Sequence, residues 1–205
     1  LEVLKQHFSL ERVTKAGAIF NQEKLTWLNG IYIRQLPTEE LAQRLLPFLE
    51  QAHLTASGRH LGPDVPRSID FSYLLKIVPL IQERLKTLAE GPELISFFFQ
   101  EELDYDPNDL PQKEMDREGT TLALEKSLKI IESASPFEAP KLEEKLRVQV
   151  SELGLSTRQL FGLLRVATTG RAAAPPLFET MEVLGKNRCI NRIKRAIEQI
   201  AQPSK

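Results

Sequence analysis

Cysteine and histidine are scarce in this chain of 205 residues, which holds one cysteine and three histidines. The single thiol, Cys189, cannot close an internal disulfide, and it has no CxxC partner or neighbouring histidine with which to bind zinc. We therefore interpret Cys189 as a packing residue. Nucleophilic catalysis usually needs a histidine or an activated lysine beside the nucleophile. His7, His53 and His60 stand in no such arrangement, and we interpret them as surface or packing residues.

Glycine-rich phosphate-binding loops are also missing, since neither GxGxxG nor GxxxxGK[ST] occurs. No apolar run approaches the roughly 18 residues that a membrane helix needs. The opening LEVLKQHFSL lacks the basic-then-apolar order of a secretory signal. The acidic pairs at 101–102 and 143–144 are typical of solvated helix faces. We expect a cytoplasmic binding protein with no catalytic residue, metal site or membrane contact.

Charge is spread unevenly along the chain, although the formal net charge is only −1. Residues 1–89 hold 11 lysines and arginines against 9 aspartates and glutamates, residues 90–153 hold 7 against 16, and residues 154–205 hold 9 against 3. A basic last quarter suits an anionic partner such as RNA. Neutralisation of that quarter by the acidic middle is the alternative, and the charge pattern alone leaves both open.

Apolar residues recur with helical periodicity through nearly the whole chain, and no segment alternates with the period of a strand. Asn21 is a good N-cap for an early helix, and Ser156 or Thr157 for a later one that Gly170 is placed to end. The longest apolar stripe predicts one helix between residues 71 and 90. Trp27 and Tyr32 share helical spacing with neighbouring leucines, and we interpret both as core residues.

The polar stretch 104–119 contains two prolines and no sustained apolar period, so it predicts a loop or hinge. We place a domain boundary near residue 112 and expect Thr121 to cap the next helix. The predicted fold is all-α, with two consecutive helical bundles. They are subdomain 1, residues 21–112, and subdomain 2, residues 113–205.

Three stretches carry a resemblance to a known family and follow one another in that family's order. They are FSLERVTKAGAIFNQEKLTWLNGIYIRQL, PLIQERLKTLAEGPELISFFF and LRVATTGRAAAPPLFETMEVLGKNR. They span almost the whole chain, and they resemble the part of bacterial-type glutamyl-tRNA synthetases that follows the catalytic domain. The resemblance implies an α-helical cage that binds the tRNA anticodon, with residues 1–20 as the end of the stem-contact linker.

The HIGH-like and KMSKS-like signatures of that family's catalytic domain do not occur here and would precede Leu1. By this resemblance, ATP and magnesium belong to that domain, and the chain alone has no cofactor and no ligase activity. The implied function is anticodon binding for ATP-dependent attachment of glutamate to tRNA(Glu), in a parent enzyme that is monomeric. The alternatives are a helical protein-docking scaffold and a stand-alone RNA-binding module.

The corner at residues 171–178, RAAAPPLF, holds the candidate base-reading groups. Proline suits the first helical position, so Pro176 would open a helix whose next N–H groups, on Leu177 and Phe178, have no intrahelical acceptor and can face base edges. Some family members have threonine where Ala174 stands, so only a backbone contact is expected there. The resemblance implies base contacts by Arg165, Ala174, Pro175 and Leu177.

Four basic residues near this corner are candidate phosphate contacts, which would position the RNA. They are Arg171, Lys186, Arg188 and Arg192.

Family members that accept only tRNA(Glu) often have an arginine in the helix that matches LPFLEQAHL. We align that position with Glu50, or with Gln51 if the match shifts by one. Since neither is arginine, the hypothesis is a parent enzyme that charges tRNA(Gln) as well as tRNA(Glu).

Overall fold

The protein is all-α in the part that the computed structural model describes, which is residues 2–9, 17, 20–52, 54 and 69–201. These ranges contain ten α-helices and no strand, which confirms the predicted fold class. The helices are α1 (Glu2–His7), α2 (Gln22–Gln35), α3 (Thr38–Gln51), α4 (Phe71–Ile81), α5 (Gly91–Ile95), α6 (Arg117–Ser133), α7 (Ala139–Glu152), α8 (Thr157–Thr169), α9 (Leu177–Leu184) and α10 (Lys186–Ala201). His53, His60 and, within the predicted linker at 1–20, residues 1, 10–16 and 18–19 lie outside the described residues. No helix in these ranges has the length and apolar character to cross a membrane.

Local signals set several helix ends as the sequence predicts. The Asn21 side chain accepts the N–H of Lys24 at 2.9 Å and caps α2. At the start of α8, the Ser156 hydroxyl accepts the Gln159 N–H at 3.2 Å, while the Gln159 side chain accepts the Ser156 N–H at 2.8 Å. This reciprocal pair is a capping box. Gly170 ends α8 with φ at 71°, a left-handed conformation that favours glycine.

The single helix predicted between residues 71 and 90 is wrong, because α4 ends at Ile81 and a 3-10 turn follows at Gln82–Arg84. The Gln82 side-chain amide donates to the carbonyl groups of Ile33 at 3.0 Å and Leu36 at 2.8 Å. These bonds fasten the turn to the end of α2. A contact so distant in sequence leaves no trace in the local apolar pattern.

The helix expected to be capped by Thr121 begins earlier, at Arg117. The Asp116 side chain accepts the N–H of Gly119 at 2.7 Å and supplies the cap. The Thr121 hydroxyl instead donates to the Arg117 carbonyl at 2.9 Å, within the first turns. The predicted loop is therefore shorter than its composition indicates.

One hydrophobic core extends through both predicted subdomains. In the first half α3 packs against α4 and α5, and in the second half α10 packs against α6 and α8 while α7 packs against α9. Helix α4 also contacts α9, so the core crosses from one half to the other. The domain boundary near residue 112 stays a prediction.

Cys189 lies in this core, where burial raises the pKa of its thiol to about 12.

Candidate functional site

The corner between α8 and α9 holds three of the candidate base-contacting residues, Ala174, Pro175 and Leu177. Ala174 is 5% exposed, Pro175 is buried and Leu177 is 4% exposed, whereas Pro176 is exposed. The three buried residues therefore direct their side chains into the protein. What this segment can offer a ligand is its backbone and the outer face of the Pro176 ring.

Helix α9 starts without a side-chain cap. Pro176 is the N-cap residue of α9, because its carbonyl accepts the N–H of Thr180 at 3.0 Å. The sequence analysis had placed Pro176 one position later, as the first helical residue. The first three N–H groups of the helix, on Leu177, Phe178 and Glu179, consequently have no acceptor within it. Such a helix start carries partial positive charge and three unused donors.

Two long-range contacts hold α9 in position. The Phe178 ring meets the Phe161 ring of α8 edge to face, with centroids 4.9 Å apart and planes at 88°. The Glu182 carboxylate accepts the N–H of Ala139 at 2.7 Å, at the first residue of α7. An edge-to-face aromatic pair adds about 0.5–1.5 kcal/mol beyond its buried area. The start of α9 is thus fixed against α7 and α8.

Arg165 lies one helical turn after Phe161, so both project from the same side of α8. Its Nε atom is buried and has no hydrogen-bond partner among the described residues. Loss of hydration lowers the pKa of the Arg165 guanidinium, and the nearby charge of Arg84 lowers it further. A partly buried guanidinium beside another cation, with no acceptor at Nε, is an unfilled donor site.

The sequence analysis missed Arg84, which ends the 3-10 turn at Gln82–Arg84. Arg84 is exposed, and no hydrogen bond or ion pair joins its side chain to another described residue. The carboxylate next to it, on Glu83, lies 4.0 Å from Nε of Arg34 instead. Arg84 belongs to the second stretch that resembles the family, but nothing in its spacing indicates that its charge lowers the pKa of Arg165 in the folded protein.

Arg192 is buried, at 4% exposure, on the inner side of α10. It donates to the carbonyl groups of Phe97 and Gln100, at 2.6 Å each, and to that of Thr168. Burial lowers the pKa of its guanidinium to about 10. These contacts join α10 to α8 and to the segment at residues 97–100, so we interpret Arg192 as a structural residue.

The other three candidate phosphate contacts also donate to neighbouring protein groups. Arg188 donates to the Phe98 carbonyl at 2.8 Å and the Tyr73 hydroxyl at 3.3 Å. Arg171 donates to the Glu93 carbonyl and, at 3.0 Å, to the Ser96 hydroxyl. Lys186 donates to the Ala134 carbonyl at 2.9 Å, just after α6. Their role as phosphate contacts stays a prediction.

Lys186 and Arg188 line a groove of about 680 Å³ at the start of α10. Asp70 and Glu101 line the same groove, so its charge is mixed. In the described ranges, no cluster of histidine, cysteine, aspartate or glutamate is arranged to hold a metal ion.

Glu50 is not on α8, α9 or the corner between them but in the last turn of α3, where both Glu50 and Gln51 are exposed.

The interpretation of Trp27 and Tyr32 as core residues is wrong, because each is 62% exposed. The side of α2 that faces the core instead carries Gly30 and Ile33. Helical spacing alone does not tell which of two apolar sides of a helix is covered.

Comparison with known proteins assigns the chain to a family. The family model described as "Anticodon binding domain" matches residues 40–197. The chain is 44% identical over 200 residues to a glutamate–tRNA ligase of Dehalococcoides mccartyi strain 195, covering 97% of this chain and 40% of that protein. It is 46% identical over 200 residues to a glutamate–tRNA ligase of Roseiflexus castenholzii, covering 98% of this chain and 38% of that protein.

A solved structure is similar to the fold as well. The crystal structure of a glutamate tRNA ligase from Elizabethkingia meningosepticum superposes with a TM-score of 0.74 at 25% identity, covering 94% of this chain and 35% of that one. The chain thus spans about 40% of the length of the curated relatives that it matches. These similarities give no support to the alternatives of a protein-docking scaffold or a stand-alone RNA-binding module.

Proposed function

Because this chain belongs to the anticodon-binding domain family, we propose that it binds the anticodon arm of a tRNA as the tRNA-recognition part of a glutamate–tRNA ligase. ATP-dependent attachment of glutamate is the activity proposed for a longer protein that includes this sequence. That protein is proposed to be a cytoplasmic monomer, and its ATP and magnesium sites are assigned to its catalytic domain.

The observation that carries this proposal is the uncapped start of α9. Three backbone N–H groups lack acceptors there, at a helix end that favours a partner of negative charge or with lone pairs. Anticodon bases splay out of their loop and expose oxygen and nitrogen acceptors on their edges. The donors at Leu177 and Phe178 suit those acceptors, and Ala174 and Pro175 support them from the preceding corner.

Rigidity of this corner favours recognition. The side chains of Leu177 and Phe178 are packed in the core, and two prolines precede them. Little conformational freedom is left to lose when RNA binds, so less of the interaction energy is spent on ordering the protein. Arg165 adds a planar fork of donors that lysine cannot reproduce.

The choice of tRNA rests on a separate element. Glu50 is exposed at the end of α3 and offers only acceptors when ionised. In the proposal this position does not discriminate the third anticodon base, and the parent ligase accepts both tRNA(Glu) and tRNA(Gln). Aminoacylation by the full-length protein tests it, and no detectable charging of tRNA(Gln) would end this part of the proposal.

The anticodon assignment is tested by titrating the chain with tRNA(Glu) transcripts at fixed salt, with the native anticodon and with each base replaced. Arg165→Ala is expected to weaken binding by about 1–3 kcal/mol and to relax the preference for one base. Arg158→Ala, on the same helix and exposed, is the matched control and should leave that preference intact. Equal binding of all transcripts by the unaltered chain would contradict anticodon recognition.

A further inference from the structure

Arg171 is the only residue with a polar side chain in the corner at residues 171–178. Alanines and prolines fill the positions from 172 to 176. Among the described residues, no hydrogen bond involves residues 172–175. The burial of Ala174 and Pro175 holds the corner by packing. Any side-chain hydrogen bond that fixes the corner therefore has to come from Arg171.

The Arg171 side chain reaches two groups of the first half, 75 and 78 positions away in the chain. Its Nη1 donates to the Glu93 carbonyl, which lies in the last turns of α5, and its Nη2 donates to the Ser96 hydroxyl at 3.0 Å. The Ser96 hydroxyl donates to the same Glu93 carbonyl at 3.4 Å. These three groups close a ring of hydrogen bonds. Carbonyl groups near the end of a helix have few N–H partners within it, so they suit a fork of donors.

The backbone of Arg171 is held from the other side, by Thr169 at the end of α8. The Arg171 N–H donates to the Thr169 hydroxyl at 3.3 Å, and that hydroxyl donates to the Arg165 carbonyl at 2.7 Å. Thr169 is 2% exposed, so water does not compete for these bonds. Arg171 therefore connects the end of α8, through its backbone, with the end of α5, through its guanidinium.

We propose that Arg171 is a positioning residue, which fastens the corner to the first half and so holds the N–H groups of Leu177 and Phe178 in one place for the anticodon bases. This role rests on the proposed function, because it requires that the corner contacts RNA. It differs from the phosphate contact that the sequence predicts for Arg171. A guanidinium that already donates from Nη1 and Nη2 to protein acceptors has fewer donors left for a phosphate.

Loss of Arg171 should weaken base recognition more than RNA binding in general. In Arg171→Ala the corner keeps only its packing, and an RNA that uses its N–H groups has to order the corner on binding. A transcript with substituted anticodon bases does not use them and has no such cost. We therefore expect the preference for the native anticodon to fall about tenfold. The slope of log affinity against log salt should stay the same, whereas loss of a phosphate contact lowers it by roughly 0.7 to 0.9.

Ser96→Ala tests the same connection from its other end. It removes the acceptor of Nη2 and leaves the Glu93 carbonyl for Nη1, so the preference for the native anticodon should fall about threefold. Because both residues act through one contact, Ser96→Ala should cause no further loss in a chain that carries Arg171→Ala. Ser133→Ala is the matched control. The exposed Ser133 hydroxyl likewise donates to a carbonyl three residues earlier, that of Ile130, at 3.0 Å.

Salt-dependent titrations of the chain with tRNA(Glu) transcripts, native and anticodon-substituted, measure both the preference and the slope. NMR relaxation of the free chain gives a second readout, in which RNA takes no part. The order parameters of the exposed Ala172 and Ala173 N–H groups should fall from about 0.85 to below about 0.6 in Arg171→Ala. They should stay unchanged in Ser133→Ala. Circular dichroism is expected to be the same for all four chains.

Three results overturn the positioning role and leave the proposed function standing. The first is an Arg171→Ala chain that keeps its full preference for the native anticodon. The second is a salt slope that falls by roughly 0.7 to 0.9 in that variant, which identifies a phosphate contact. The third is an equal loss of preference in Ser133→Ala, which shows a general loss of stability. Equal binding of all transcripts by the unaltered chain removes the proposed function, and the positioning role with it.

Discussion

Arg192→Ala distinguishes a structural arginine from an RNA-binding one. The Arg192 guanidinium donates to three backbone carbonyl groups, and the side chain is 4% exposed. The carbonyl groups of Thr168 and Phe97 belong to buried residues, whereas Gln100 is exposed and water can replace the lost donor there. We therefore expect truncation to leave two carbonyl groups without a partner.

The size of the effect follows from these contacts. An unsatisfied buried polar group costs about 1–3 kcal/mol. Two of them cost about 2–6 kcal/mol, and part is recovered because a cation no longer has to be desolvated. We expect a net loss of about 3 kcal/mol in the free energy of unfolding. For a chain of this size, that loss lowers the Tm by about 6–12 °C.

Urea unfolding, followed by circular dichroism, measures this loss. The urea concentration at the midpoint should fall, while the dependence of the free energy of unfolding on urea concentration stays the same. Arg158→Ala is the control and should stay within about 0.5 kcal/mol of the unaltered chain, because Arg158 is exposed. Arg192→Lys should lose most of the stability as well, since one ammonium group cannot take the place of a planar fork that donates to three separated carbonyl groups.

RNA titrations complete the test. A buried Arg192 does not release a counterion, so Arg192→Ala, measured under conditions where it is folded, should leave the salt dependence of RNA binding unchanged. An unchanged urea midpoint for Arg192→Ala, combined with a salt slope that falls by roughly 0.7 to 0.9, would refute the structural assignment and restore Arg192 as a phosphate contact.

Three further predictions concern local features. Ser156→Ala removes the hydroxyl that accepts the Gln159 N–H at the start of α8 and should cost about 1 kcal/mol in urea unfolding. Ser156→Asp should restore most of that stability, and equal stability of all three chains would contradict the cap. Burial raises the pKa of the Cys189 thiol to about 12. A disulfide reagent at pH 8 should therefore modify Cys189 only after urea unfolds the protein. Rapid reaction of the folded chain would contradict the burial of Cys189. Trp27 is the only tryptophan and is 62% exposed. The fluorescence emission of the isolated chain should therefore match that of indole in water and be quenched by acrylamide. A blue-shifted emission that acrylamide does not quench would show that another surface covers α2.

The start of α9 illustrates how far the sequence predicts a site. Two prolines followed by an apolar amphipathic segment predict a helix start with unused N–H groups, and α9 begins there with Pro176 as its N-cap. The position within the cap differs by one residue, because proline is compatible with either place. The contact of the Phe178 ring with Phe161, one helical turn before Arg165, joins α9 to that side of α8. The local pattern does not contain that contact.

The basic residues mark the limit of prediction from composition. A basic last quarter favours an anionic partner, yet Arg171, Arg188 and Arg192 donate to backbone or side-chain groups of the first half. Positive charge serves equally well to bind phosphate or to satisfy carbonyl groups at the ends of turns. Only the surroundings of each side chain distinguish the two uses, and these come from residues about 70 or more positions away.

The sequence by itself determined the helical class, the cap at Asn21, the placement of another cap at Ser156 or Thr157, and the helix end at Gly170. These features depend on neighbours within about one turn, because capping and left-handed backbone are local properties. Only the tertiary structure decided that α4 ends at Ile81 and that Arg192 is buried. In each case the deciding partner is distant in the chain, and its influence arises only when the helices pack around a common core.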